Sequence, residues 1–293
     1  MNKLLIVAVA GALAQLVDGA LGMGFGITAT TCMMTIAALG PAQASAIVHA
    51  AELGTTLASG ASHWKFGNVQ WGTALRLGVP GALGAFLGAS VLSRISLAAA
   101  APVTAGILTF VGALLVWRFS RGRVQRTIRM VSPRFLGTLG FFAGFLDSSG
   151  GGGWGPLTST TLLGATSQEP RKIIGTVNTS EFLVTAAASI GFALGLWPTI
   201  VAHVWSVLAL LLGGVLAAPL GAYLVSRLNP SLLGGFVGTT LMTTNALKVF
   251  PHWVAALLFL SGAALSVLGY LRAQATLKAA PEDVRQKWLN RMS

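Results

Sequence analysis

A chain of 293 residues in which 54% are hydrophobic and only 9% charged, with a mean hydropathy of +0.76, stands far from the roughly 25% charged residues of soluble domains, which excludes a water-soluble globular fold. Its 19 Lys and Arg against 7 Asp and Glu leave a net charge of +12. In a soluble protein that would point to nucleic acid, but here the basic residues sit between apolar spans, where they set topology and meet lipid head groups, so no nucleic-acid partner is expected.

In chain order, the start, MNKLLIVAVAGALA, has the shape of a signal peptide, yet it recurs in altered form later in the chain, which argues that it is retained. Residues 4–39 are too long for one straight span at about 1.5 Å per residue and are interrupted by DGALGMGFG, so they form either one broken helix or a hairpin of two shorter helices. Cys32, the only cysteine, cannot make an internal disulfide and is expected to pack within a helix. A span at 41–61 carries Glu52 and is loosened by Gly54 and Gly60. After it, SHWKFGN reads as a loop, with His63 in the loop and Trp64 and Trp71 as interface anchors. Apolar stretches of about 20 residues follow at 72–93 and 97–117, then a loop with six arginines, RFSRGRVQRTIRMVSPR. Residues 135–164 are interrupted again, and further spans lie at 173–196, 203–226, 229–249 and 253–271, before a basic tail.

A shift of 129 residues places GALAQLVDGALGMGFG, from Gly11, on GFFAGFLDSSGGGGWG, from Gly140. Gly11, Ala14, Asp18, Gly22, Gly24, Gly26, Thr31, Pro41, Glu52, Thr56 and Ala58 all recur as the same residue. Each half therefore carries two carboxylates 34 positions apart, Asp18 with Glu52 and Asp147 with Glu181; the remaining three acids, Glu169, Glu282 and Asp283, fall in a loop or the tail.

The distribution of positive charge chooses between the two readings of the interrupted segments. Hairpins in both halves put 16 basic residues on one side and 3 (Lys3, Arg94, Lys248) on the other, whereas single crossings split them 10 to 9. The hairpin reading leaves the amino terminus outside and the tail in the cytoplasm. A hairpin followed by three crossings brings the second half in upside down. The expected fold is thus an all-α polytopic membrane protein of two inverted-topology repeats, each a broken or re-entrant helical hairpin followed by three transmembrane helices, plus one C-terminal transmembrane helix. Its divisions are a first repeat over 1–117, a basic cytoplasmic loop over 118–134, a second repeat over 135–250, a final helix over 251–271 and a tail over 272–293.

Carboxylates at membrane depth cost about 2.5–3.5 kcal/mol each on insertion scales, so four of them need a reason. One is that Asp18 and Asp147 cap the interrupted helices while Glu52 and Glu181 bond nearby backbone or threonines. The other is transport. A desolvated carboxyl holds its proton more readily, and Glu52 or Glu181 is the preferred proton carrier, with Asp18 and Asp147 holding the loops. Irregular backbone at this depth is tolerated where it is buried in protein or lines a wet cavity. Helix is expected to resume near Ile27 and Pro156, where free N–H groups facing a cavity would suit an anion. The candidate substrate-binding residues are Gly22, Gly24, Gly26, His49, Gly151, Gly153, Gly155 and Asn178. His49 and its counterpart Asn178 stand three residues before Glu52 and Glu181, on the same helix face, placed to donate to an oxyanion or orient the carboxylate. No Lys-Ser/Thr follows either glycine run, which argues against a nucleotide loop. No catalytic residue, metal or cofactor is expected.

LVDGALGMGFG (Leu16–Gly26), GPAQASAIVHAAELGTTLASGASHWKFGN (Gly40–Asn68) and FLDSSGGGGWGP (Phe145–Pro156) resemble the TauE/SafE sulfite exporter family. The resemblance implies a multi-pass protein of the bacterial inner membrane that exports or imports sulfite, sulfonates or related organosulfur anions, with lipid around it and a homo-oligomer compatible. An anion channel is the alternative. An intramembrane aspartyl protease is disfavoured, because neither Asp18 nor Asp147 follows the Gly-x-Gly of such enzymes.

Overall fold

Glycine and proline divide the apolar sequence into helices. A computed structural model describes residues 3–94, 97–121, 131–150, 152–166, 168–224, 230–247 and 249–279. Among these are eleven helices: α1 (Lys3–Leu21), α2 (Phe25–Ile36), α3 (Pro41–Lys65), α4 (Trp71–Leu92), α5 (Leu97–Ser120), α6 (Pro133–Gly150), α7 (Trp154–Ala165), α8 (Pro170–Ala202), α9 (Val204–Leu224), α10 (Pro230–Ala246) and α11 (His252–Lys278). No strand occurs among the described residues. Among the described residues, five segments are long and apolar enough to cross a membrane, Lys3–Leu21, Trp71–Leu92, Arg171–Ala202, Val204–Tyr223 and His252–Thr276. The expected spans 97–117 and 229–249 fall on α5 and α10.

Backbones approach closely where glycine removes a side chain, and these contacts give the helix directions. Gly11 lies on Leu210 and Gly19 on Gly221, so α1 and α9 run parallel. Gly140 lies on Leu77 and Gly88 on Phe145, so α4 and α6 also run parallel. Along α3 and α8 the order reverses, with Gly60 beside Thr179 and the His49 ring 5.4 Å from that of Phe192. Gly112 against Met242 and Gly238 against Leu115 make α5 and α10 antiparallel.

Followed through the chain, these directions put the starts of α1, α3 and α5 at one end of the bundle. The starts of α4, α6, α8 and α10 lie at the other. The stretch from Lys3 to Ile36 therefore leaves the first end and returns to it, while that from Pro133 to Ala165 does the same from the second. Of the described Lys and Arg residues, Lys3 and Arg94 belong to the first end; Lys65, Arg76, Arg118, Arg121, Arg134, Arg171, Lys172, Arg272 and Lys278 belong to the second. Lys172 Nζ donates to Gly67 O across 2.5 Å there, and Arg272 Nη1 to Ser120 O across 3.2 Å.

Outward-facing leucines, valines and aromatics such as Leu83, Phe110, Leu194 and Leu216 are exposed along the helices, as expected of a lipid-facing perimeter. Inside, the bulkiest fully buried side chain is Trp154 at the start of α7, surrounded by Leu77, Val177 and Val184. Its indole N–H donates to Val177 O at 3.3 Å, which satisfies the one polar atom it buries.

The 41–61 span runs on to Lys65, so His63 is in the last turn of α3 and fully buried, with Nδ1 3.5 Å from Asn68 Nδ2, and not in a loop. The helices after the breaks resume at Phe25 and Trp154, two residues earlier than expected from Ile27 and Pro156, because a glycine serves as the N-cap in each case. Trp64 and Trp71 are exposed and packed edge to face, 6.1 Å apart. Cys32 is half-buried in α2.

Candidate functional site

The two breaks meet. Gly24 takes φ 121°, a conformation that a side chain would strain, to turn the chain into α2. Gly152 (φ 136°) lies directly on the backbone of Ile27, leaving no room for a Cβ. Ser159 Oγ, one turn into α7, donates to Gly22 O at 2.6 Å and pins one break to the other. Gly22, Gly24, Gly26, Gly153 and Gly155 are all buried at this junction, and a Cβ added at Gly26 would stand 3.1 Å from Glu52 Oε1. Gly151 lies outside the described residues.

Each aspartate reaches across to the other half. Asp147 Oδ2 is 3.1 Å from His49 Nε2, 98 positions away. Asp18 Oδ2 accepts from Asn178 Nδ2 at 3.1 Å, 160 positions away. Since His49 and Asn178 are counterparts in the sequence repeat, the pairing is crossed: each half supplies the aspartate for the other's polar helix residue.

The two pairs differ in chemistry. Asp147 Oδ1 accepts from Gly153 N at 2.7 Å and Trp154 N at 2.9 Å, capping α7. The expected free amides at this helix start are therefore occupied by a carboxylate of the protein, and an anion would have to displace it. His49 has an acceptor at each ring nitrogen, Ser45 O at 2.8 Å from Nδ1 and Asp147 at Nε2, an arrangement that suits the imidazolium form paired with the aspartate. Glu52 Oε2 is 4.0 Å from His49 Nε2, so the imidazole bonds to Asp147 of the other half in preference to its own glutamate.

Asp18 has no such partner. Its Oδ2 is shared by Asn178 and, at 3.5 Å, Gln15 Nε2, and its Oδ1 accepts no hydrogen bond of normal geometry although the Phe25 amide is near enough to interact. Asn178 Nδ2 also reaches Ser59 Oγ at 3.1 Å and Asp18 O at 3.5 Å. Ser59 carries no expected role, and only the fold reveals that it faces Asn178.

Glu52 and Glu181 are buried, yet among the described residues no hydrogen-bond donor reaches either carboxylate; Thr56 Oγ1 bonds the backbone oxygen of Glu52. A groove of about 330 Å³ lies to one side, between α3, α4 and α8, lined by Leu57, Trp64, Trp71 and Leu75 among others, and none of the four carboxylates lines it.

The family described as "Sulfite exporter TauE/SafE" matches residues 7–247, which include both breaks and all four buried carboxylates. The chain is 41% identical over 258 residues to the "Probable membrane transporter protein YtnM" of Bacillus subtilis (strain 168), an alignment covering 87% of this chain and 85% of that one. No solved structure matches it.

Proposed function

The chain belongs to the TauE/SafE sulfite exporter family and is a multi-pass membrane transporter of the inner membrane, and from that premise we propose that it is a secondary transporter. Its substrate is a small sulfur-containing anion, sulfite or a sulfonate, as the family's name suggests. The two parts that move are two inverted-topology repeats, each a helical hairpin followed by three helices, with α11 added at the end. Support for that architecture comes from the opposite ends to which the two hairpins return, from the reciprocal packing of α1 on α9 and α6 on α4, and from the basic residues gathered at one end. By the positive-inside rule the basic end is cytoplasmic and the amino terminus lies outside.

The observation that carries the transport reading is the crossed contact of Asp147 with His49 and Asp18 with Asn178 where two interrupted helices meet. A junction of this kind has two faces, and opening one while closing the other is alternating access. In this reading the substrate is held between the breaks, by Gly22, Gly24, Gly26, Gly151, Gly153 and Gly155 with His49 and Asn178, and reaches those amides when Asp147 releases them. Glu52 and Glu181 take up and release the coupling proton, a role favoured by the absence, among the described residues, of a hydrogen-bond donor to either carboxylate; His49, 4.0 Å from Glu52 Oε2, is the charged neighbour of Glu52.

Uptake of labelled sulfite and of a small sulfonate into proteoliposomes, with and without an imposed pH gradient, tests this. The expected result is saturable flux that responds to the gradient in the wild type and loses that response in Glu52→Gln or Glu181→Gln. Absence of flux for both anions under every gradient overturns the substrate; gradient-independent flux overturns the proton coupling.

A further inference from the structure

The groove between α3, α4 and α8 is built from two helices resting on one turn of a third. A Cβ at Gly60 of α3 would stand 3.4 Å from Thr179 Cα, and one at Gly78 of α4 would stand 3.0 Å from Ser180 O. Thr179 and Ser180 form the floor of the groove, while Leu57 and Ala61 of α3 and Trp71 and Leu75 of α4 line its walls. Leu57, Trp71 and Leu75 are exposed, so its volume of about 330 Å³ opens sideways onto the lipid-facing perimeter. From Trp64 to Thr56 the groove follows α3 for about 12 Å at 1.5 Å per residue. That is most of the roughly 15 Å depth of one leaflet.

The lining suits hydrocarbon. Thr56 Oγ1 donates to Glu52 O at 2.5 Å, Thr179 Oγ1 to Gly175 O at 2.7 Å and Ser180 Oγ to Val177 O at 2.8 Å, each within its own helix. With these protons spent, the groove offers a small anion no hydroxyl donor, and burial there would leave its charge uncompensated. Cations stand at its head instead. Leu57, Ala61 and Lys65 follow one another at four-residue spacing along α3, and Lys172 precedes Thr179 by two turns on the same side of α8. Lys172 Nζ donates to Gly67 O in the turn joining α3 and α4, which leaves its ammonium two further donors. Among the described residues neither lysine pairs with a carboxylate, and Glu169, the described acid at this end, is held by Arg171 at 2.7 Å. Trp64 and Trp71, edge to face at 6.1 Å, mark the level at which hydrocarbon gives way to head groups.

We propose that this groove is a lipid site that holds one acyl chain of an anionic phospholipid from the leaflet at the basic end, with the head group bound by Lys65 and Lys172. Basic pockets between membrane helices on the cytoplasmic side recognise anionic head groups in this way. The groove adds what surface charge alone lacks, a place for a single chain. Gly60 and Thr179 adjoin Ser59 and Asn178, which meet at 3.1 Å on the inner side of the same two helices, so the bound chain braces the contact of α3 with α8 from outside. The proposal rests on the transporter reading only for the consequence that the lipid steadies one state of the junction; the binding itself is independent of what is carried.

The test is native mass spectrometry of the purified full chain in detergent with phosphatidylglycerol and phosphatidylcholine supplied in equal amounts. The wild type is expected to retain one phosphatidylglycerol in preference to phosphatidylcholine, by about fivefold for each of the two lysines. Lys65→Gln and Lys172→Gln should each lower that preference about fivefold. Ala61→Phe, which fills the groove, should lose the bound lipid while its lipid-free Tm stays near that of the wild type. Equal retention of the two lipids by the wild type overturns the proposal, as does an Ala61→Phe protein that keeps its phosphatidylglycerol. A lipid-free dimer that Ala61→Phe splits into monomers also overturns it, assigning the groove to a second copy of the chain. If Ala61→Phe does not fold, the two lysine variants decide, and an undiminished preference in both overturns the site. No transport enters the measurement, so failure of the substrate reading and failure of the lipid site are seen separately.

Discussion

Asp147 bonds two amides through one oxygen and an imidazole through the other, so replacing it removes both a helix cap and the charge facing His49. Asp147→Asn is expected to cost about 3–5 kcal/mol, because it strands a buried imidazolium. His49→Asn should cost a similar amount by stranding the aspartate. The two changes are coupled, and the double variant should be less destabilised than the sum of the singles by about 1–3 kcal/mol, read from Tm values of the four proteins. Additive effects would show that the pair is not an ion pair. Much of this residue chemistry was legible before the fold: the four carboxylates stood out by their depth, and His49 and Asn178 by their matched positions. Their partners did not stand out, because His49 lies on the helix face of Glu52 and only packing turns its imidazole toward Asp147, 98 residues away. Ser59 and the buried state of His63 were illegible for the same reason.

At the scale of elements, close helix pairs depend on absent side chains. A Cβ at Gly11 would stand 2.6 Å from Leu210 O, so Gly11→Leu should push α1 off α9 and cost about 1–3 kcal/mol of overpacking, seen as a lower Tm and lower yield of monodisperse protein. Ser159→Ala removes the bond from α7 to Gly22 O. Its expected cost is about 1 kcal/mol, together with faster hydrogen exchange at the 22–24 break than in the wild type; unchanged exchange there would mean that the breaks are not held by each other. Element boundaries were readable from glycine and proline to within a few residues. The exceptions were the helix starts at Phe25 and Trp154, where a glycine N-cap lets helix begin sooner than the glycine runs suggest, and α3, whose polar end hides its length behind a loop-like composition.

For the molecule as a whole, orientation is the property most open to test. With Cys32 replaced by Ser, a single cysteine introduced at Arg94 should react with a membrane-impermeant maleimide from outside the cell. Cysteines at Arg134 or Lys65 should react only after permeabilisation. Labelling of Arg94→Cys and Arg134→Cys from the same side would sink the inverted arrangement and, with it, the two-faced junction. What the sequence determined by itself is whatever depends on local pattern and counting: a helical protein for lipid, two glycine-interrupted segments 129 residues apart, and four carboxylates at membrane depth, since hydropathy, glycine content and charge are written along the chain. What only the tertiary structure decided is pairing. Hydrogen bonds and charge compensation depend on which side chains meet across 98 or 160 residues, and that is set by how α3 and α8 pack against each other's hairpins. It is this packing that gives Asp147 an imidazole and leaves Asp18 without a cation.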